Sequence, residues 1–366
     1  MGFNCGVVGL PNVGKSTIFN ALTRGKAQSA NYPFCTIDPN VGIVPVHDSR
    51  LTAINEVIPA KKVIMTTVEI VDIAGLVKGA AEGEGLGNKF LTHIGSVDAI
   101  LQIVRLFEDK DVTHVMGGVN PVQDVETIQT ELALKDIEIL TKSSERLAKL
   151  AKSGNNKEAS AQMEWAKEAI EHLNNNKPLR QVEFEEHPLN YLKGLNLLTL
   201  KPTLYVANVD EDKINDTSSD AYKALAEVAA KDNSSVITIS GKIEEEIAQL
   251  EDAERQEYID SLGLKASGLE RLVSEGYKLL GLMTFFTAGV EENRAWTVEK
   301  GATAPQAAGK IHTDFEHGFI RAEVVGYDDF VKYRGEIGAR DAGKFRLEGK
   351  EYIVQDGDVM HFRFNV

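Results

Sequence analysis

The chain has 366 residues, with 40 Lys and Arg against 55 Asp and Glu, for a formal net charge of −15. That acidity excludes a broad nucleic-acid-coating surface, the two cysteines, Cys5 and Cys35, exclude a disulfide framework, and no apolar run approaches the ~20 residues of a membrane span. The length predicts two or three domains. A chain that enters an apolar strand at once, without a signal-peptide pattern, predicts a cytoplasmic location.

Phe3 to Val8 is a short apolar run suited to a buried strand, and Ser16 to Arg24 can continue as a helix. Between them stands Gly9-Leu10-Pro11-Asn12-Val13-Gly14-Lys15-Ser16-Thr17, which reads G-x-x-x-x-G-K-S, a phosphate-binding P-loop. Glycine lets the backbone curl so that successive N–H groups from Asn12 to Thr17 face phosphate oxygens. The helix start adds its partial positive charge. Lys15 can reach the β- and γ-phosphates, and the Ser16 hydroxyl can ligate Mg²⁺.

The polar stretch Gly25 to Asn40 holds Thr36, the hydroxyl suited to complete a Mg²⁺ shell when a γ-phosphate is present. Val41 to Val46 and Thr67 to Val71 are the next strands, and the second leads into Asp72-Ile73-Ala74-Gly75. This D-x-x-G lets Asp72 hold the Mg²⁺ hydration shell and the Gly75 N–H sense the γ-phosphate. Leu76 follows, where a Ras-like GTPase has a water-orienting Gln. Leucine cannot orient water, so slow basal hydrolysis is expected. His93 and His114 are nearby polar candidates; His114, in the polar stretch after the strand Ala99 to Leu106, is the candidate catalytic group.

Almost a hundred residues separate that strand from the next, Thr203 to Ala207, far more than one crossover helix needs. Ile137, Leu140, Ser144, Leu147 and Ala151 form one helical seam, Met163, Ala166, Ile170 and Leu173 a second, and Ser153 to Asn156 a turn between them. The spacing predicts an antiparallel helical hairpin with an arm of about 40 Å. Lys142, Arg146, Lys149, Lys152 and Lys157 make its tip basic, with Glu145 the one opposing charge, and suit it to RNA.

Thr203 to Ala207 leads into Asn208-Val209-Asp210-Glu211, where a guanine-reading loop would be N-K-x-D. Val209 replaces the Lys and Glu211 the Asp, and the longer acid spoils a bidentate pair to guanine. Val209 is expected to offer apolar contact to either purine. The strand Val236 to Ile239 ends in Ser240-Gly241-Lys242, placed as a further base-contacting loop. From Leu282 the pattern becomes a small α+β unit: strands at Met283 to Thr287, Ala295 to Val298, Phe319 to Val325 and Val359 to Phe364, a helix at Thr303 to His312, and loop or hairpin at Gly338 to Lys350.

With these motifs, the stretch N-Y-P-F-C-T-I-D-P-N and a tail reading T-A-P-Q-A-A-G-K-I-H-T-D-F-E-H-G-F-I-R-A-E-V, the chain resembles the YchF (Obg-like ATPase) family over nearly its whole length. The resemblance implies an α/β P-loop NTPase of the OBG-type G domain, with an inserted antiparallel coiled-coil arm and a C-terminal β-grasp (ubiquitin-like TGS) domain. The corresponding boundaries are 1–121 and 200–280 for the G domain, 122–199 for the arm and 281–366 for the TGS domain. It implies preference for ATP over GTP, with ADP as product, and association with ribosomes or RNA rather than specific DNA sequences. Leu76 and Glu211 depart from ordinary GTPases and agree with this family. A conventional GTPase and a non-hydrolysing nucleotide-dependent scaffold are the competing readings, and a small-molecule P-loop kinase fits least.

Overall fold

A computed structural model describes residues 3–24, 41–72, 97–108, 118–154 and 156–365. The chain divides into two compact units, one of residues 4–42 and 70–272 and the other of residues 1–3, 43–69 and 273–366.

The first unit is built on β1 (Asn4–Val8), β5 (Ala99–Arg105), β6 (Thr203–Asn208) and β7 (Val236–Ile239). β5 and β6 are buried along their whole length. Such strands, buried on both faces, belong to a parallel sheet covered on both sides, and neighbours along this series do pair in parallel: Val8 with Gln102, Arg105 with Asn208, and Asn208 with Ile239. β2 (Val41–Pro45) and β4 (Thr67–Asp72), through which the unit boundary passes, complete the order β2-β4-β1-β5-β6-β7. Because β1, β5, β6 and β7 run the same way, their carboxyl ends open on one edge, where ligands of α/β sheets bind. α1 (Lys15–Arg24) follows β1, and α6 (Asp220–Lys231) connects β6 to β7. After β7 come α7 (Gly241–Ile247), α8 (Asp252–Ser261) and α9 (Gly268–Leu279).

Between β5 and β6 stand two long helices, α3 (Pro121–Gly154) and α4 (Lys157–Asn174), then a shorter α5 (Glu186–Gly194). The 34 residues of α3 span about 50 Å at 1.5 Å each, longer than the spacing predicts because the helix starts at Pro121. Asn156 caps α4 by accepting the Ala159 N–H at 3.2 Å. Leu140 of α3 packs with Ala166, Ala169 and Leu173 of α4, the two seams legible in the sequence. Lys142 meets Glu138 at 2.6 Å, so Glu145 is not the one opposing acid, while Arg146, Lys149 and Lys157 are exposed.

Two polar clusters root this pair of helices. Asp136 on α3 is fully buried and accepts the N–H groups of Leu198 and Thr199 and the Thr199 hydroxyl at 2.6 to 2.8 Å. Burial pushes its carboxyl up to about 6 against the pull of those donors. Nearby, Asp232 at the C-cap of α6 accepts from the Tyr205 hydroxyl, from Arg180 Nε at 2.8 Å and from Gln181 Nε2 at 2.6 Å. Gln129 of α3 also donates to the Tyr205 oxygen, at 3.3 Å.

The second unit holds β8 (Leu282–Thr287), β9 (Glu292–Glu299), β10 (Phe319–Gly326), β11 (Arg346–Glu348) and β12 (Asp358–Phe364), with α10 (Ala304–Ile311) and α11 (Thr313–His317). Thr303 and Gln306 close a capping box at the start of α10. Ala304, Ala307 and Ala308 of α10 pack in one cluster with Phe285, Val324 and Phe362 of the sheet. A second cluster joins Phe286, Ala295 and Val325 to Leu51 and Ile54 of α2 (Ser49–Val57) and to Phe330 of α12 (Tyr327–Lys332). β3 (Lys62–Ile64) pairs in parallel with β9, giving the order β11-β10-β12-β8-β9-β3. Buried Asn293 fixes this addition by donating to Asn55 Oδ1 at 2.9 Å and to the Ile58 carbonyl at 2.7 Å. The Gly338 to Lys350 stretch is not loop and hairpin alone: Glu336–Asp341 is a helix, α13, anchored by buried Ala339. Among the described residues no helix is long and apolar enough to cross a membrane.

Candidate nucleotide-binding site

At the carboxyl edge of the first sheet lies a cavity of about 860 Å³ lined by Asn12, Gly14, Lys15, Ser16, Thr17, Phe107, Glu108, Asn208, Val209, Asp210, Ser240, Gly241 and Lys242. Its size is that of a small-molecule or cofactor cleft. Parallel register brings these distant segments together, since Arg105, Asn208 and Ile239 are aligned neighbours.

The loop after β1 takes the strained path that a phosphate cradle requires. Asn12 sits at φ 62° and Gly14 at φ 89°, the left-handed region that favours glycine. At Gly14 a Cβ would come within 2.2 Å of Asn208 Nδ2, so only glycine lets the loop approach β6. Lys15 Nζ donates to the carbonyls of Gly9 at 2.8 Å and Leu10 at 3.0 Å, which lays the ammonium back across the loop. Burial lowers the Lys15 pKa, with the charge of Asp72 acting the other way. The Asp72 carboxyl is in turn raised by burial, with Lys15 opposing. Asp72 Oδ1 is buried without a hydrogen-bond partner among the described residues.

Asn208 is the joint of the site. Its Nδ2 donates to the Val13 carbonyl at 2.9 Å, and its Oδ1 accepts the Gly241 N–H at 3.2 Å. One side chain thereby ties the phosphate loop to the loop after β7. Val209 borders the cavity but is 6% exposed and packs with Tyr205, Ile214 and Leu225. Its side chain packs in the core as well as bordering the cavity, and a lysine there would bury an ammonium in apolar surroundings. Glu211 opens a 3-10 turn, Glu211–Lys213, is exposed and does not line the cavity. Asp210 does line it, paired with Lys213 at 3.2 Å.

Phe107 and Glu108 were not expected in the lining. The signal available was position: both directly follow β5, at the strand end where such sheets bind ligands. Arg105 is 2% exposed. It stacks 4.3 Å from the centre of the Phe107 ring, donates to the Phe107 carbonyl and reaches the Asn12 carbonyl at 3.3 Å. Thr36, Gly75, Leu76, His93 and His114 lie outside the described residues, as does the side chain of Lys152.

A phosphate loop joined by an asparagine to the loop after β7 at the carboxyl edge of a parallel sheet defines a P-loop nucleotide-binding protein of the GTPase fold. A family model described as 50S ribosome-binding GTPase matches residues 4–142, and one for the YchF-GTPase C-terminal region, described as a protein of unknown function, matches residues 282–365. The chain is 55% identical over 367 residues to a ribosome-binding ATPase YchF of Bacillus subtilis, and 54% identical over 366 residues to that of Pasteurella multocida, in both cases covering 100% of each chain. The solved structure of the Schizosaccharomyces pombe YchF GTPase is 37% identical and superposes with a TM-score of 0.85 over 99% of this chain and 97% of that one. The chain belongs to the YchF family.

Proposed function

We propose that the protein is a Mg²⁺-dependent ATPase, slow by itself, whose nucleotide state governs binding to the ribosome or RNA in the cytoplasm. The observation that carries this is the Asn208 bridge between the phosphate loop and the loop of Ser240 to Lys242 across one cavity. Relatives more than half identical over their full length carry the name ribosome-binding ATPase. In this reading residues 122–199, with α3 and α4, are the coiled-coil arm, 281–366 are the β-grasp TGS domain, and 1–121 with 200–280 are the G domain.

The residues suit Mg²⁺. Asp72 offers a buried oxygen without a hydrogen-bond partner among the described residues, and the Ser16 hydroxyl lines the cavity, an all-oxygen set that a hard cation prefers. Ser16 and Thr36 would ligate the ion and Asp72 would hold its water shell; bound there, it would neutralise phosphate charge. Lys15 and the loop N–H groups would orient the triphosphate. Adenine is favoured because Glu211, turned out to solvent, presents no carboxylate to a base edge. His114 is the proposed water-positioning group and Leu76 the reason that basal turnover is slow.

Phosphate release measured with and without ribosomes tests the reading: stimulation by ribosomes is expected, and equal rates would contradict it. The arm is tested by reversing Arg146 and Lys149 to Glu. Ribosome binding should weaken about tenfold or more at low salt, the difference shrinking as salt is added. Unchanged binding would place the contact elsewhere.

A further inference from the structure

Ser240 to Lys242 line the nucleotide cavity, and α9 holds the chain on both sides of them. Three residues beyond Gly241, Glu244 is buried to 3% exposure, and its Oε1 accepts the N–H of Gly268, the first residue of α9, at 2.8 Å. Burial raises the pKa of this carboxylate, with the backbones of Gly268 and Leu269 and the charge of Arg271 acting the other way. Two residues before Ser240, Thr238 on β7 accepts from Arg271 Nη1 at 3.4 Å and donates its hydroxyl proton to the Ile214 carbonyl. The first turn of α9 therefore grips the strand that enters the loop and the helix that leaves it.

The fit is tight. A Cβ on Gly268 would lie 2.5 Å from Glu244 Oε1, and one on Gly241 would lie 2.9 Å from Thr17 Cγ2 on α1. α7 is thus wedged between the phosphate-loop helix and the start of α9. Arg271 keeps Nε and Nη2 buried with no hydrogen-bond partner among the described residues. Burial lowers the pKa of its guanidinium, with the charge of Glu244 acting the other way. Buried donors left without partners cost stability, so this pair is not the arrangement that packing alone would select.

We infer that Glu244 and Arg271 are positioning residues: they set the loop of Ser240 to Lys242 against the purine, and so set the base-dependent part of nucleotide affinity. The inference rests on the nucleotide reading above. A base-lacking polyphosphate has no purine to meet the loop of Ser240 to Lys242, so it separates a positioning role from a general loss of structure.

The test measures the affinity of the full chain for ATP and for inorganic tripolyphosphate, both with Mg²⁺. Glu244→Gln keeps one acceptor but turns an amide NH₂ toward the remaining donors. It should weaken ATP about tenfold, about 1.4 kcal/mol, and leave tripolyphosphate unchanged. Gly268→Ala, which drives a methyl into Glu244 Oε1, should do the same. Gly268→Ala combined with Glu244→Asp, which shortens the acid by one carbon, should recover part of the ATP affinity, and this pair carries the test should Glu244→Gln not fold. Unchanged ATP affinity in folded variants, or equal weakening of ATP and tripolyphosphate, would overturn the inference while leaving the nucleotide reading intact. A wild-type chain that binds tripolyphosphate but not ATP would overturn both.

Discussion

Lys15→Ala should lower ATP affinity by about three orders of magnitude, the ~4 kcal/mol expected when one partner of a close charge pair is truncated. Lys15 is half-buried and poised between two carbonyls of its own loop and the charge of Asp72. Burial already disfavours its charged form, and a triphosphate would supply the negative charge that favours it. Alanine removes the one cation of the P-loop motif and leaves Asp72 facing the phosphates alone. Isothermal titration with Mg²⁺ checks this; wild-type affinity in the variant would show that phosphates bind elsewhere. The fold should persist, because the loop path depends on Gly14 and on Asn208 holding the Val13 carbonyl.

Asp232→Ala should destabilise the chain by about 3–5 kcal/mol, the cost of leaving a buried charge without its partner. The Asp232 side chain is fully buried and that of Arg180 is 6% exposed, with Nη2 and Oδ2 2.8 Å apart. Alanine strands the guanidinium and also orphans Gln181 Nε2 and the Tyr205 hydroxyl, whose pKa burial raises. Urea unfolding of the full chain should show the loss as a lower midpoint. Replacing Arg180 and Asp232 together by leucine should recover much of it, because two apolar side chains carry no desolvation cost. If the single variant unfolds like the wild type, the cluster does not root the helical pair.

Much of this was legible because the physics is local. Ala99 to Leu106, apolar but for Gln102 and Arg105, and Thr203 to Ala207 lack the polar alternation of a half-exposed strand, as a doubly covered parallel sheet requires, and the structure buries both. Gly9 to Thr17 declared its cradle by residue type and spacing. What escaped depends on partners far away in sequence. β3 is largely exposed, and its register of Lys62 on Glu292 gives no signal in its three residues. Glu244 sits in the run Glu244-Glu245-Glu246, which reads as a solvated helix face; it is buried because α9 begins against it. Val209, read as a base contact from its place in the N-K-x-D pattern, borders the cavity and also packs in the core, which its position in the sequence does not reveal. Helix α13 was hidden by its glycines, since Gly335 at φ 101° and Gly343 at φ 69° bracket it instead of breaking it.

Direct titration of ATP and GTP with Mg²⁺ tests the central claim. A guanine site gains selectivity from a carboxylate paired to two donors of the base, each match contributing roughly 1–3 kcal/mol. Here Glu211 is exposed and outside the lining, and Asp210 is engaged by Lys213. ATP should bind at least as tightly as GTP. A GTP affinity about tenfold or more above that for ATP, a difference of about 1.4 kcal/mol, would contradict the account.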